Sequence, residues 1–201
     1  MALDKTVIVS LAVQLMGHAP ITTLENADDM VTSAEQFFDL LYPSVISNNN
    51  WRFAVTINQL SLSTLIPPVL SMWKNIYYLP AGWLKTIRVW PQNYVWNIYN
   101  GNLIYCNWGT LTPVFMEYCF LPDINLLPPY FVNYFIYEIA YTMCLTNAQK
   151  PDYFAALKAE KTERFAMAAA IDAQNHPQYS MVDFPALNNR NITGIIGPQI
   201  G

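Results

Sequence analysis

Between Tyr94 and Trp108 the chain reads YVWNIYNGNLIYCNW, and no other stretch limits the fold as strongly. Asn100-Gly101 is the favoured pair for a type I′ turn, in which both central residues take positive φ. The two runs that it joins carry Trp, Ile, Tyr and Leu on both faces, which predicts a β-hairpin. From about residue 54 to 120, β-branched and aromatic residues dominate and turn signals recur. Leu84 to Val89 and Pro113 to Cys119 are the expected partner strands. Residues 54–72 fit no single pattern.

Helical periodicity flanks this region. Val7, Ile8, Leu11, Ala12 and Leu15 recur at helical spacing, so a helix is expected over about 4–16, with the Asp4 carboxylate as its cap. Gly17 stands where a left-handed C′ residue costs least, and Pro20 prevents resumption. His18, near the negative end of that helix, needs no catalytic role. Asp28 and Asp29 open a second helix over about 28–47, its buried face formed by Ala34, Phe37, Phe38, Leu41, Tyr42 and Val45. Pro43 is expected to kink or end it. Pro128-Pro129 starts a third helix over about 129–146. Pro151 starts a fourth, over about 151–175, with Glu160 and Arg164 spaced to pair. The expected fold is α+β: mainly an α-helical bundle with an inserted antiparallel β-region over about 54–120. Residues 1–175 form one domain in this reading.

After Asn175 the periodicity stops. Residues 176–201 are too apolar for simple disorder, and they are read as an extended docking arm. Tyr179, Met181, Phe184, Leu187, Arg190, Ile195 and Ile196 are its candidate contacts to a neighbouring subunit or partner.

Composition narrows the function. Hydrophobic residues make up 53 % of the 201 and charged residues only 12 %, against a usual charged share of about 25 %. That excess of apolar side chains points to surface used as interface in an obligate oligomer. The net charge is −4 and the basic residues are scattered, so there is no footprint for gripping nucleic acid. Two long uncharged runs, 53–73 and 89–116, are interrupted by Pro and polar residues. Neither reads as a membrane-spanning helix, and the chain is expected to be soluble. Cys106, Cys119 and Cys144 have no CxxC spacing and read as buried small hydrophobes in a reducing compartment. His18 and His176 stand at opposite ends, without paired metal-ligand spacing. No phosphate-binding glycine pattern exists. Glu25, Glu117 and Glu138 are the candidate acids for glycoside hydrolysis; Glu138, inside an apolar helix, reads rather as a satisfied polar group at a subunit contact. No catalytic residue, cofactor or metal ion is expected.

Several motifs, in order, resemble those of a known family. They begin with Leu15-Met16-Gly17, Pro20-Ile21 and Leu24, an acid-rich helix start, and Trp51-Arg52-Phe53-Ala54. Tyr78-Leu79-Pro80 follows, then the strand from Leu84 to Val89 and the Gly101 turn with Leu103-Ile104-Tyr105. Pro129-Tyr130-Phe131 and an alanine-rich helix running to Asp172 complete the series. The order and spacing are similar to the head-to-tail adaptors of short-tailed phages, the tail tubular protein A or head-completion proteins, over about residues 4–175. One departure is Ala81-Gly82-Trp83, where family members often carry an acid and a short apolar strand. Residues 176–201 match no motif of the family.

The resemblance implies a structural virion protein of the tail, at the head–tail interface, assembled in the host bacterial cytoplasm. It implies a ring, usually of twelve copies, that joins the portal protein to the tail nozzle protein, with C-terminal arms that reach a neighbour or the portal. DNA would pass through without sequence-specific binding, which suits a mildly acidic wall, and no membrane partner is implied. Two readings from other classes stand beside it. One is a peptidoglycan hydrolase acting during entry, which needs two opposed carboxylates. The other is a ligand-binding module lined by the aromatics of the β-region.

Overall fold

The computed structural model describes residues 3–21, 29–69, 71–92, 94–109, 113–146 and 151–175. Four helices occur among them: α1 (Lys5–Leu15), α2 (Asp29–Asn48), α3 (Pro129–Thr146) and α4 (Pro151–Gln174). Between α2 and α3 run seven strands: β1 (Val55–Gln59), β2 (Ser61–Leu62), β3 (Asn75–Tyr78), β4 (Trp83–Trp90), β5 (Trp96–Tyr99), β6 (Leu103–Cys106) and β7 (Phe115–Phe120). They form two antiparallel sheets, in the orders β1-β7-β4 and β2-β3-β6-β5.

The helix ends follow local chemistry. The Asp4 carboxylate accepts the Val7 N–H at 2.8 Å. At the other end of α1, Gly17 has φ of 86°. Its N–H donates to the Gln14 carbonyl at 2.9 Å, and the His18 N–H donates to Val13 at 3.3 Å. This pair of bonds is a Schellman motif, which satisfies carbonyls that would otherwise be orphaned. Buried Ser10 then accepts the Ile21 N–H at 3.0 Å, tying the connector back onto α1. Asp28 lies outside the described residues, and α2 begins at Asp29.

Pro43 does not end α2, which continues to Asn48. An interior proline costs a helix about 3 kcal/mol. Val45 and Ile46, just beyond it, are buried, and each contributes about 1.5–3 kcal/mol. The Trp51 indole N–H also donates to the Val45 carbonyl at 3.1 Å. Packing of the last turn thus offsets the proline.

The expectation of a mainly helical bundle is overturned. Two sheets of three and four strands stand beside the four helices, and they hold a second apolar core of their own. The arrangement is layered. One core joins α1, α2 and α3 with Trp51, Ala54 and Ala168, and Leu84 of β4 packs against it. The other lies between the two sheets, where Val89, Met116 and Tyr118 of the three-stranded sheet meet Tyr77, Ile104 and Cys106 of the four-stranded one.

The three-stranded sheet serves both cores because side chains alternate along a strand. On β7, Met116, Tyr118 and Phe120 face the second core, while the Cys119 thiol turns toward Asn49 and Asn50 at the end of α2. On β4 the register shifts at two places, between Trp83 and Lys85 and between Thr86 and Arg88. The first inserts Leu84, which packs on the helical core. Lys85 then reaches the Ser47 carbonyl at 2.8 Å, a favourable cation at the C-terminal end of α2.

The hairpin forms between β5 and β6, with Asn100 at φ 55° and Gly101 at φ 70°. Its ladder closes at Tyr99 opposite Leu103, so Asn102 joins the connection as a third residue. Its other partner is β3, with Asn75 opposite Cys106. The strands expected beside it, near 84–89 and 113–119, instead pair with one another in the other sheet.

Candidate interaction surface

The stretch that carried no sequence pattern holds the most exposed large apolar side chains among the described residues. After β2 the chain leaves the four-stranded sheet, and it returns at β3. Ser63 N–H donates to the Ile76 carbonyl at 2.8 Å, and Lys74 N–H to the Cys106 carbonyl at 2.9 Å. These bonds fasten both ends of the loop to the sheet. Within it, Leu65 N–H donates to Ser63 Oγ at 3.1 Å, and Ser71 N–H to the Pro68 carbonyl at 3.1 Å.

Near its end the loop packs on the sheet through aromatic rings. Trp73 meets Tyr99 and Tyr105 edge-on, with centroids 6.1 and 6.4 Å away, and those two tyrosines meet at 5.0 Å. Four apolar side chains of the loop face water. Leu65 is 50 % exposed, Ile66 88 %, Val69 89 % and Met72 57 %. Four large apolar side chains within eight residues are thus turned to water, and exposed apolar surface of this kind marks an interaction site.

The stretch of chain that contains these side chains is one-sided in charge. Residues 40–116 hold Arg52, Lys74, Lys85 and Arg88 and no acid at all. That is a net +4 within a chain of −4, so the remainder carries −8. Lys85 is engaged at the end of α2, and Arg88 lies 4.0 Å from Glu117 and over the Trp90 ring. Lys74 is exposed where the loop ends.

The helical layer treats its polar groups differently. Glu138 on α3 accepts Tyr134 O–H at 2.9 Å and Lys161 Nζ at 3.0 Å. It therefore joins α3 to α4 within one chain, where the sequence reading placed it at a subunit contact. Burial and the adjacent Glu138 carboxylate push the Tyr134 phenol up. Asp172 on α4 is buried and accepts the Arg52 backbone N–H and the Tyr130 O–H, both at 2.8 Å. Burial first, then Asp172, pushes the Tyr130 phenol up to about 12. An open cleft of about 520 Å³ lies here, walled by Trp51, Phe165, Ala169 and Asp172. Both Asp172 oxygens are occupied by structural donors, so the carboxylate ties α4 to α3 and to the turn that leads into β1.

The remaining candidates fall as follows. Glu117 sits on β7 beside Arg88; Glu25 lies outside the described residues. All three cysteines are buried and free, and burial pushes the Cys106 and Cys119 thiols up. Among the described residues no group of three His, Cys, Asp or Glu could hold a metal ion, and no helix is long and apolar enough to cross a membrane. Tyr179, Met181, Phe184, Leu187, Arg190, Ile195 and Ile196 lie outside the described residues, so the structure does not place them. The loop at 63–74 was missed because it has no periodicity. Its readable signal was the absence of acids from residue 40 to 116. The chain matches no protein-family model and no curated protein.

Proposed function

We propose that this protein is a structural adaptor of a phage tail. In this reading copies of the chain form a ring, of about twelve by the family resemblance, between the portal and the tail nozzle. DNA slides through, and residues 176–201 dock on a neighbour or on the portal. The observation that carries the proposal is the apolar loop at Leu65–Met72, held at both ends and turned to water. A protein whose task is assembly must present such surface, because burying it is what drives association. The order of motifs over residues 4–175 gives the assembly its class.

The test is electron microscopy of the full chain, alone and with its portal. Rings in either sample are expected. A monomer in both would overturn the proposal, whereas a free monomer that assembles only on the portal would agree with it.

A further inference from the structure

We propose that the loop at 63–74 is one half of a head-to-tail contact between copies of this chain, and that the outer face of α4 is the other half. The inference rests on the adaptor reading for the expectation that copies associate. It adds which two surfaces meet.

Charge selects head-to-tail over symmetric pairing. The four-stranded sheet and its loop, residues 61–78 and 96–106, hold Lys74 and no acid, whereas the four helices carry +1, −3, −1 and −1 in order, a net −4. A two-fold contact of loop on loop would set Lys74 of one copy toward Lys74 of the other. A contact between the loop of one copy and the helical layer of the next sets opposite fields together, which favours both encounter and register. A contact between two different surfaces repeats from copy to copy, and closes into a ring when the rotation allows.

Apolar matching selects α4. Among the described residues it is the helix that exposes two large apolar side chains four residues apart, Met167 at 52 % and Ile171 at 43 %. Such a pair lies on one face of a helix. Exposed Ala166 and Ala170 flank it, and small side chains permit a close approach. Glu163 is exposed one turn before Met167, just as Lys74 is exposed beside the loop. The exposed Ile66 and Val69 thus have an apolar seat on the next copy, with a cation and an anion at their margins.

The experiment uses the full chain under the conditions of the electron-microscopy test. Ile66→Cys and Met167→Cys are made singly and together, against a background of three buried cysteines. A short bis-maleimide should join the two single variants when they are mixed and leave each alone as monomer. The double variant should give a ladder of multimers. Ile66→Cys joining mainly to itself would overturn the inference in favour of a symmetric contact. Rings without a ladder would overturn it and leave the adaptor reading standing. Neither rings nor ladder would overturn both, and a ladder without rings would support the contact and count against the adaptor. As a second readout, Ile66→Asp with Val69→Asp should weaken self-association roughly ten-fold or more, with an unchanged circular dichroism spectrum.

Discussion

The helical layer and the outer sheet are both rich in aromatic residues, yet they use them differently. In the helical layer Trp51 is 1 % exposed and meets Phe131 edge-on at 5.2 Å. Phe135 stacks on Phe131 in turn and extends the cluster to Phe38 and Tyr42, with centroids within 5.7 Å. Charges there occur in pairs of opposite sign: Lys5 with Glu35 and Asp39, Lys161 with Glu138, and Arg164 with Glu160. In the outer sheet Trp73, Tyr99 and Tyr105 pack on one another at the surface, beside a loop with no acid to balance Lys74. The first region is closed on itself except along the outer face of α4, where Met167 and Ile171 are exposed. The second is left open on one side. The difference teaches that the excess of apolar residues is not a uniformly dense interior: one part fills a core, and another part is carried on a fastened loop.

The sharpest way to break this contrast is to remove the centre of the closed region. Trp51→Ala should cost about 3–5 kcal/mol, from the lost aromatic volume and the cavity left behind. Urea unfolding followed by circular dichroism measures it. A cost below about 1 kcal/mol would mean that the helical core does not depend on this residue, and the contrast would fail.

A pH series tests a polar tie within the closed region, between α3 and α4. Tyr130 has its phenol raised to about 12 by burial and by Asp172. The folded state therefore holds this proton after the unfolded chain has released it near 10. Its stabilising contribution is complete below pH 10 and is lost as pH rises through 12. The urea midpoint should fall over that window, and Tyr130→Phe should flatten the fall. An identical slope in the variant would remove Tyr130 from the account.

The helix ends were legible because short-range chemistry sets them. Asp4 caps through its own carboxylate, and Gly17 takes the positive φ that a C′ residue needs. The same holds for Asn100-Gly101, whose positive φ values mark the turn locally. The pairing of strands was not legible. The choice of β3 as partner of β6 depends on which faces the two sheets bury against each other, over about thirty residues of chain. Balance was lost for the same reason, since counting periodic segments made the molecule look mainly helical and gave the irregular stretch at 54–72 no weight. Of the candidate surface, its apolar, uncharged character stood in the sequence, but its exposure came only with the fold. Ile57 and Ile76 are equally apolar, yet one is exposed and the other buried.

Two glycines ask whether the regions unfold as one unit. Gly17 and Gly101 both have positive φ, and an added Cβ at either would meet nothing within 4 Å. Alanine at either position therefore suffers backbone strain without a clash, about 1–2 kcal/mol. If both lower the global urea midpoint alike, helices and sheets unfold together. If Gly101→Ala leaves the helical signal unmoved while the tryptophan signal shifts, the sheets unfold separately.

The smallest effect is the most diagnostic of the open region. Ile66 is almost fully exposed, so Ile66→Asp removes little buried area and places a carboxylate in water. Its cost to folding should lie within about 0.5 kcal/mol, as for other surface changes. It also puts an acid into a segment that has none, beside Lys74, where weak surface attraction is the most that it can add. A loss above about 1 kcal/mol in urea unfolding would show that the loop tip is part of the core. A null result in folding, set against Trp51→Ala, would separate residues that hold this chain together from residues that it offers outward.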